Sequence, residues 1–300
     1  MESYNTNSGH NSLTTTKGSI FFIGNATVLI KYGGFTILTD PTFIHMHEKV
    51  PLGYGLESAR LTNPAIEINQ LPLLDLVLLS HFHGDHFDQV AIRELDKSLS
   101  IVTNSHAVDE LKIRGFTNTK KLDTWESITF SKKDNNSNSS NTVELRITAT
   151  PGRHGPFPIS MFLPKVMGSI LDFKRKDDRT DNSNNNNNNT NQLFRIYITG
   201  DTTVFDDIKN IPKKYPDIDL ALLHLGGTKI MGIMLTMDAK EGLEMFSIVN
   251  PKKAIPIHYN DYDVFKSPIE DFQTKVKEAG IEDRVFYLKH GETYTFEVNK

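Results

Sequence analysis

Four potential metal ligands lie within six residues in the segment LVLLSHFHGDHFD, which covers residues 76–88. They are His81, His83, Asp85 and His86, and they follow an apolar run that is typical of a buried strand. Imidazole and carboxylate groups bind Zn²⁺ and related divalent ions when no thiolate is available, and this chain has no cysteine. Two histidines two residues apart can bind one ion, and the aspartate and histidine that follow can reach a second. The segment therefore predicts a metal site.

Three more ligand-type side chains occur where predicted strands end. His154 follows residues 148–150, Asp201 follows residues 196–199 and His258 follows residues 255–257. Residues at strand ends are held by a rigid scaffold and yet face a cleft. Each of the three is weak evidence alone, because an isolated aspartate after glycine is usually a turn residue and an isolated histidine is usually packed or exposed. Together with residues 81–86 they predict two adjacent metal sites.

The elements that must position these side chains are short apolar strands with helices among them. Strands are predicted at 19–23, 26–32, 35–39, 76–80, 101–103, 145–150, 196–199, 220–225 and 254–257, and helices at 107–114, 239–249 and 269–279. Gly33 and Gly34 predict a hairpin turn between the second and third strands. Strands that are buried on both faces, with helices between them, favour an α/β fold in which sheets lie inside and helices outside.

Polar low-complexity segments indicate which parts of the chain lie outside the core. We expect residues 1–17 to be a flexible amino-terminal tail and residues 18–300 to form a single domain. The Asn-rich segments 134–142 and 177–192 have almost no apolar side chains, so they are predicted to be insertions in hairpin loops. The tail lacks the apolar region of a secretory signal, so a cytoplasmic protein is expected.

Composition excludes several classes of protein. The 300 residues include 33 Lys+Arg and 37 Asp+Glu, which gives a formal charge of −4 and no basic excess for a nucleic-acid partner. The apolar run at 71–79 is interrupted by Pro72 and Asp75 and is far shorter than the roughly 20 residues of a membrane-spanning helix. Without cysteine or a G-x-S-x-G motif, covalent catalysis has no candidate nucleophile.

The motifs together resemble the metallo-β-lactamase-fold hydrolase superfamily over roughly residues 18–298. The matching positions are Asp40 in ILTDP, the H-x-H-x-D-H run at 81–86, His154 in PGRHGP, Asp201 in TGDT and His258 in PIHY. More narrowly, GNATVLIKYGGFTILTDP and LLHLGGT resemble the branch that includes ascorbate-6-phosphate lactonase and N-acyl phosphatidylethanolamine phospholipase D. Asn25 departs from that pattern, since members of the branch often have histidine in a G-H-A-T stretch at this place.

The resemblance implies a fold and a ligand set. The fold is a four-layer αββα sandwich of two mixed β-sheets with helices on the outer faces. The implied ligands are His81, His83 and His154 for a first ion, and Asp85, His86 and His258 for a second, with Asp201 bridging both. Asp40 would support a ligand or a strand end. Two divalent ions are expected, with zinc as the default and Mn²⁺ or Fe²⁺ as alternatives.

A metal-dependent hydrolase follows as the expected function. A hydroxide that bridges the ions would cleave an ester, lactone or phosphoester bond of a small molecule. Asp85 and Asp201 are predicted to be catalytic residues that bind these ions. His224 is the candidate proton donor, or else a packed supporting histidine, and Arg153 would bind a substrate phosphate or pair with a surface carboxylate.

Two alternatives stay open. A phospholipase D-like enzyme acting on N-acyl phospholipids of a membrane is less favoured, because no basic amphipathic stretch is evident. A non-catalytic metal-binding module would be expected to have lost at least one ligand, and here the whole set is present.

Overall fold

A computed structural model describes residues 3–5, 16–53, 55–133, 141–177, 191–230 and 232–298. The strands are β1 Ser3–Asn5, β2 Lys17–Gly24, β3 Thr27–Tyr32, β4 Phe35–Thr39, β5 Lys49–Gly53, β6 Leu56–Ala59, β7 Leu76–Leu78, β8 Ile101–Thr103, β9 Thr119–Lys121, β10 Ser127–Lys133, β11 Asn141–Thr150, β12 Gly168–Asp177, β13 Asn191–Ile198, β14 Leu220–His224, β15 Lys229–Ile230, β16 Ile233–Met234, β17 Lys253–Ile257 and β18 Thr293–Glu297. The α-helices are α1 Gln89–Glu94, α2 Ser105–Ile113, α3 Asn210–Lys214, α4 Ala239–Val249 and α5 Ile269–Glu278. No helix within these described ranges has the length and apolar character needed to cross a bilayer.

The first large sheet, here the N-terminal sheet, has the strand order β18-β2-β3-β4-β7-β8-β9. Strands β2, β3 and β4 form an antiparallel meander, and Gly33 and Gly34 adopt positive φ in the predicted turn. From β4 onward the neighbours β7, β8 and β9 are parallel. β18 comes from the other end of the chain and closes the sheet on β2, with Tyr294 opposite Ile20.

The second large sheet, here the C-terminal sheet, has the order β1-β10-β11-β12-β13-β14-β17. Strands β10 to β13 are antiparallel, as the predicted hairpins require, and β13, β14 and β17 are parallel. The predicted insertions are too wide, because β11 begins at Asn141, β12 ends at Asp177 and β13 begins at Asn191. Backbone pairing extends the strands into polar sequence, since the ladder needs no apolar side chain. Residues 134–140 and 178–190 lie outside the described residues.

The amino-terminal segment differs from the predicted flexible tail. Residues 3–5 form β1, which pairs in parallel with β10 and sets Ser3 opposite Thr129. β2 begins at Lys17, one residue before the predicted domain start. Polar composition predicts a tail without structure, but an open sheet edge can pair with any extended backbone. Residues 6–15 lie outside the described part of the chain.

Three apolar clusters give the order of the layers. Ile30 in the N-terminal sheet and Leu145 in the C-terminal sheet belong to one central cluster, so the two sheets face each other. The outer face of the C-terminal sheet packs against α4 and α5, whereas the outer face of the N-terminal sheet packs against α1 and α2. Helices therefore cover both outer faces. The predicted α/β fold is confirmed, and its cluster order is that of the αββα sandwich.

Helix ends follow their capping residues. Asp238 accepts a hydrogen bond from the Glu241 backbone N at 3.0 Å, which begins α4 at the predicted residue. α2 begins at Ser105, two residues before the predicted start, because the Asn104 side chain accepts from Ala107 N and caps the helix there.

Candidate metal centre

The predicted ligands lie at one edge of the sandwich because their strands point the same way. β4 and β7 are parallel, so Asp40 and the segment 81–86 leave the N-terminal sheet at the same edge. In the C-terminal sheet β13, β14 and β17 are parallel, and β11 runs with them because both β11 and β13 are antiparallel to β12. Asp201, His258 and His154 therefore emerge together at that edge.

One group of ligand atoms consists of three imidazole nitrogens. His81 Nε2 lies 3.0 Å from His83 Nδ1 and 3.1 Å from His154 Nε2. Nitrogen–zinc bonds of about 2.0–2.1 Å place tetrahedral ligands about 3.3 Å apart. The three nitrogens are thus spaced as ligands around a single ion would be.

A second group lies beside the first and contains two carboxylates. His86 Nε2 lies 3.1 Å from His258 Nε2 and 3.2 Å from Asp201 Oδ2, and Asp85 Oδ2 lies 3.5 Å from His258 Nε2. The four ligand atoms fall within 4.8 Å of one another, and all four residues are buried. Asp85 Oδ1 is buried without a hydrogen-bond partner, although a buried polar atom is normally paired.

Protein acceptors fix which nitrogen each imidazole presents. Nδ1 of His81 faces Ser80 Oγ at 3.0 Å, and Nδ1 of His86 faces Asp40 Oδ2 at 3.2 Å. The corresponding acceptors are the carbonyl oxygens of Leu235 for His154, at 3.2 Å, and Leu225 for His258, at 3.1 Å. A histidine that donates from Nδ1 keeps Nε2 free for a metal ion. His83 is reversed, since its Nδ1 faces the group and its Nε2 is buried without a partner.

The electrostatic state of the site suits divalent cations. Burial lowers the pKa of His81 and His154 and brings the pKa of His83 to about 4, so this group is neutral, the form that binds metal. Burial alone would lower the pKa of His86, but the carboxylates around it, Asp201 first, raise it well above its usual value. Neutral imidazoles in the first group and buried carboxylates in the second, with unpartnered atoms in both, are a donor set that fits divalent metal ions.

Asp40 links the second group to His224. Asp40 Oδ1 accepts from Ser80 N at 2.7 Å, and its Oδ2 faces His86 Nδ1 at 3.2 Å and His224 Nε2 at 3.4 Å. Burial opposes ionisation of Asp40, but the two imidazoles outweigh it and lower its pKa to about 2. His224 is fully buried, and its Nδ1 lies 3.2 Å from Thr199 Oγ1. Both nitrogens of His224 thus face protein groups, which favours a supporting role; the proton donor stays a prediction.

Asn25 is a site residue whose contacts the sequence does not reveal. Its side-chain Nδ2 donates to the Asp85 carbonyl at 2.5 Å, and its backbone oxygen accepts from His258 N at 2.8 Å. Asn25 has a φ of 52°, a left-handed conformation that asparagine adopts more readily than most residues. One residue of the β2–β3 turn therefore ties together two ligand-bearing segments. The only sequence signal is its place in the GNAT motif, where it departs from the branch pattern.

A partly buried ion pair supports the loop that carries His258. Asp261 Oδ2 accepts from Asn25 N at 2.6 Å, and Asp261 Oδ1 lies 3.1 Å from His290 Nε2. Burial opposes charge on both partners, but their pairing outweighs it, so the pKa of Asp261 is lowered and the pKa of His290 is raised. The contribution of His290 to stability is therefore complete below its unfolded pKa of 6.5 and is lost as pH rises through the higher folded value.

We expect His290→Asn to flatten this pH dependence. The free energy of unfolding of the unmodified protein should fall by about 1 kcal/mol more than that of the variant between about pH 6 and pH 9. Urea unfolding at both pH values measures the difference. His106→Gln, at an exposed position of α2, is the matched control. Equal slopes in the His290 variant and the unmodified protein would contradict the ion pair.

Comparison with known proteins places this site in a family. The model of the family described as "Beta-lactamase superfamily domain" matches residues 36–259. A UPF0173 metal-dependent hydrolase of Archaeoglobus fulgidus is 29% identical over 278 residues, which cover 92% of this chain and 98% of that protein. A UPF0173 metal-dependent hydrolase of Thermus thermophilus is 26% identical over 284 residues, which cover 90% of this chain and 96% of that protein.

Solved structures show the same fold. An isothiocyanate hydrolase from Delia radicum gut bacteria superposes with a TM-score of 0.72 at 19% identity, covering 93% of this chain and 100% of that one. A possible metal-dependent hydrolase from Veillonella parvula gives 0.70 at 20% identity, covering 93% and 99%. These likenesses confirm the predicted superfamily fold. Since the family model spans most of the sequence, including every predicted ligand, the chain belongs to the beta-lactamase superfamily domain family.

Proposed function

We propose that this protein is a metal-dependent hydrolase that holds two divalent ions and cleaves an ester or related bond of a small molecule. The observation that carries the proposal is the convergence of seven ligand side chains in two adjacent groups. In this proposal Asp201 bridges the two ions, as the family resemblance implies; it lies in the second group, and its Oδ1 is buried without a hydrogen-bond partner. The sequence relatives named above are called metal-dependent hydrolases, which supports the same reaction class.

The residues of the chain would hold, orient and shield the reacting groups. When bound, the ions would lower the pKa of a water molecule and polarise the scissile bond as Lewis acids. Partners at Nδ1 orient four of the five ligand imidazoles, those of His81, His86, His154 and His258, so that Nε2 of each faces the ligand groups. Asp85 and Asp201 contribute two negative charges against four positive ones, which leaves the site cationic and suited to a developing oxyanion. Zinc is the proposed ion, with Mn²⁺ or Fe²⁺ compatible with the same donors.

Elemental analysis followed by a substrate screen tests the proposal. Protein purified without chelator is expected to contain about two equivalents of divalent metal and to hydrolyse at least one of a panel of esters, lactones and phosphodiesters. The panel includes an N-acyl phospholipid in vesicles, which tests the lipid alternative. Metal-loaded protein that hydrolyses no member of the panel would contradict the proposal and favour a binding module.

We expect Asp40→Asn to weaken metal binding and hydrolysis by about 10- to 100-fold. The amide keeps an acceptor for Ser80 N but removes the negative charge beside His86 Nδ1. Metal affinity by competition with a chromogenic chelator and kcat/KM are the measurements. Asp88→Asn is the matched control, since Asp88 is also buried but accepts from the backbone of Phe43, Ile44 and Ala91 instead of a ligand. Equal losses in both variants would contradict a specific role of Asp40.

A further inference from the structure

Aliphatic residues make up half of the residues that line the cleft at the two ligand groups. The apolar lining residues are Leu52, Leu56, Leu163, Ile230, Leu235 and Val264. They come from separate parts of the chain, which include the β5–β6 hairpin, β15 and the segment that returns to the cleft after His154. Several segments thus contribute apolar groups to one space that opens onto the ligand atoms of His83, Asp85, His154 and Asp201.

The same wall offers no cationic side chain. Among the described residues that line the cleft, the others are ligands and two threonines, and none is lysine or arginine. Arg153, the candidate for phosphate binding, lies with its guanidinium over the Phe205 ring at 4.3 Å and is not part of the lining. Proteins that recognise phosphate or carboxylate groups commonly use such donors. The wall therefore suits a substrate that is neutral beyond the reacting bond.

Exposed apolar side chains lie in segment 155–163, whose two ends are at the cleft. Phe157, Met161 and Phe162 are 71%, 69% and 73% exposed, and Leu56 is 41% exposed. Segment 155–163 has both ends at the cleft, since Gly155 N donates to Leu235 O at 3.2 Å and Leu163 lines the wall. A single exposed apolar residue needs no explanation, whereas a group of them beside a cleft indicates a binding surface.

We propose that the substrate is a neutral ester or lactone with an alkyl tail, and that the tail lies along this wall and leaves the cleft past Phe157 and Phe162. The inference rests on the proposed hydrolytic function and adds the substrate class. In the reaction, the oxygen of a water molecule bonds to the acyl carbon while the acyl C–O bond breaks. One proton of the water goes to the leaving oxygen, and the second is released as the product acid ionises.

A series of esters with increasing acyl chain length tests by activity whether the tail lies along the wall, here called the tail site. For p-nitrophenyl acetate, butyrate, hexanoate and octanoate, kcat/KM of the metal-loaded protein should rise about two- to fourfold for each added methylene group, as burial of apolar surface predicts. γ-Lactones with alkyl substituents of matching length should show the same order. p-Nitrophenyl phosphate and bis(p-nitrophenyl) phosphate should be poorer substrates than the octanoate. A flat series, or a preference for either phosphate, would overturn the inference.

Variants of Phe157 and Phe162, here called the rim residues, separate recognition of the alkyl tail from the hydrolytic reaction. Phe157→Ser and Phe162→Ser should each lower kcat/KM for the octanoate by about three- to tenfold and leave the acetate unchanged, because only the long tail reaches these rings. Leu73→Ser is the matched control: Leu73 is 82% exposed and precedes β7, at the end opposite the ligands. Equal losses for acetate and octanoate in the rim variants would overturn the inference, since they would indicate a structural effect.

Binding of inert analogues distinguishes this inference from the function on which it rests. Calorimetry with 2-hexanone and 2-decanone, which contain no hydrolysable bond, should show tighter binding of the longer ketone by at least tenfold, and Phe162→Ser should remove most of that difference. Chain-length-dependent binding without hydrolysis of any ester would support the tail site and contradict the hydrolase proposal. Hydrolysis with equal binding of both ketones would overturn the tail site and leave the hydrolase proposal standing.

Discussion

Asp201→Ala is expected to lower kcat/KM for any accepted substrate by about a thousandfold or more while the protein stays folded. The carboxylate lies 3.2 Å from His86 Nε2 and 3.4 Å from His258 Nδ1 in the second group, and we propose that it bridges the two ions. Its removal should disturb both ions at once, and polarisation by bound metal is worth several kcal/mol of transition-state stabilisation. About 4 kcal/mol corresponds to three powers of ten in rate.

The control for this variant is a carboxylate on the same segment. Asp206→Ala removes a side chain that is 94% exposed and pairs only with Lys209 among the ion pairs of the described residues, so its kcat/KM should match that of the unmodified protein. Circular dichroism and the melting temperature establish that both variants are folded, and elemental analysis gives their metal content. Full activity of folded Asp201→Ala would rule out a shared-carboxylate, two-ion mechanism.

Removal of metal by a chelator should abolish hydrolysis and lower the melting temperature by on the order of 10 °C. The seven predicted ligand residues lie close together, and ions that bind only the folded state stabilise it by mass action. One site filled at a thousand times its dissociation constant adds about 4 kcal/mol, and a domain of this size gains roughly 2–4 °C per kcal/mol.

Calorimetry before and after dialysis against chelator, and again after addition of Zn²⁺, measures both effects. Dialysis without chelator is the procedural control, and Asp201→Ala is the internal one, since chelation should shift its melting temperature less than that of the unmodified protein. Recovery of activity on adding Zn²⁺, Mn²⁺ or Fe²⁺ identifies the ions that the site accepts. Unchanged activity and stability after complete metal removal would refute a metal-dependent function.

The main strands and the ligand-bearing turns could be predicted because their signals are local. Residues 76–78, 101–103 and 220–224 are short apolar runs, and they are strands in the structure. The β5–β6 hairpin was not predicted, because its strands are only 5 and 4 residues long and β5 contains Pro51. It is held from outside by contacts such as Ser58 Oγ donating to Asp263 Oδ1 at 2.6 Å, which no local pattern reveals.

His224 shows what a strand end leaves open. Its position at the end of an apolar run, beside Gly226 and Gly227, predicted either a proton donor at the cleft or a packed supporting histidine. The structure places it inward against Asp40 and Thr199. Successive residues of a strand point to opposite faces. An error of one residue in the predicted strand end therefore changes whether a side chain faces the cleft or the core.

The donor types of the candidate site follow from local sequence, because residue type and spacing within a turn are local properties: imidazoles and carboxylates follow strands, and the chain has no cysteine. Three other properties depend on the fold: which ring nitrogen each histidine presents, the contacts of Asn25 with the Asp85 and His258 segments, and the aliphatic lining of the cleft. Those properties depend on acceptors and neighbours far apart in the chain, and sheet register and layer packing bring them within contact distance.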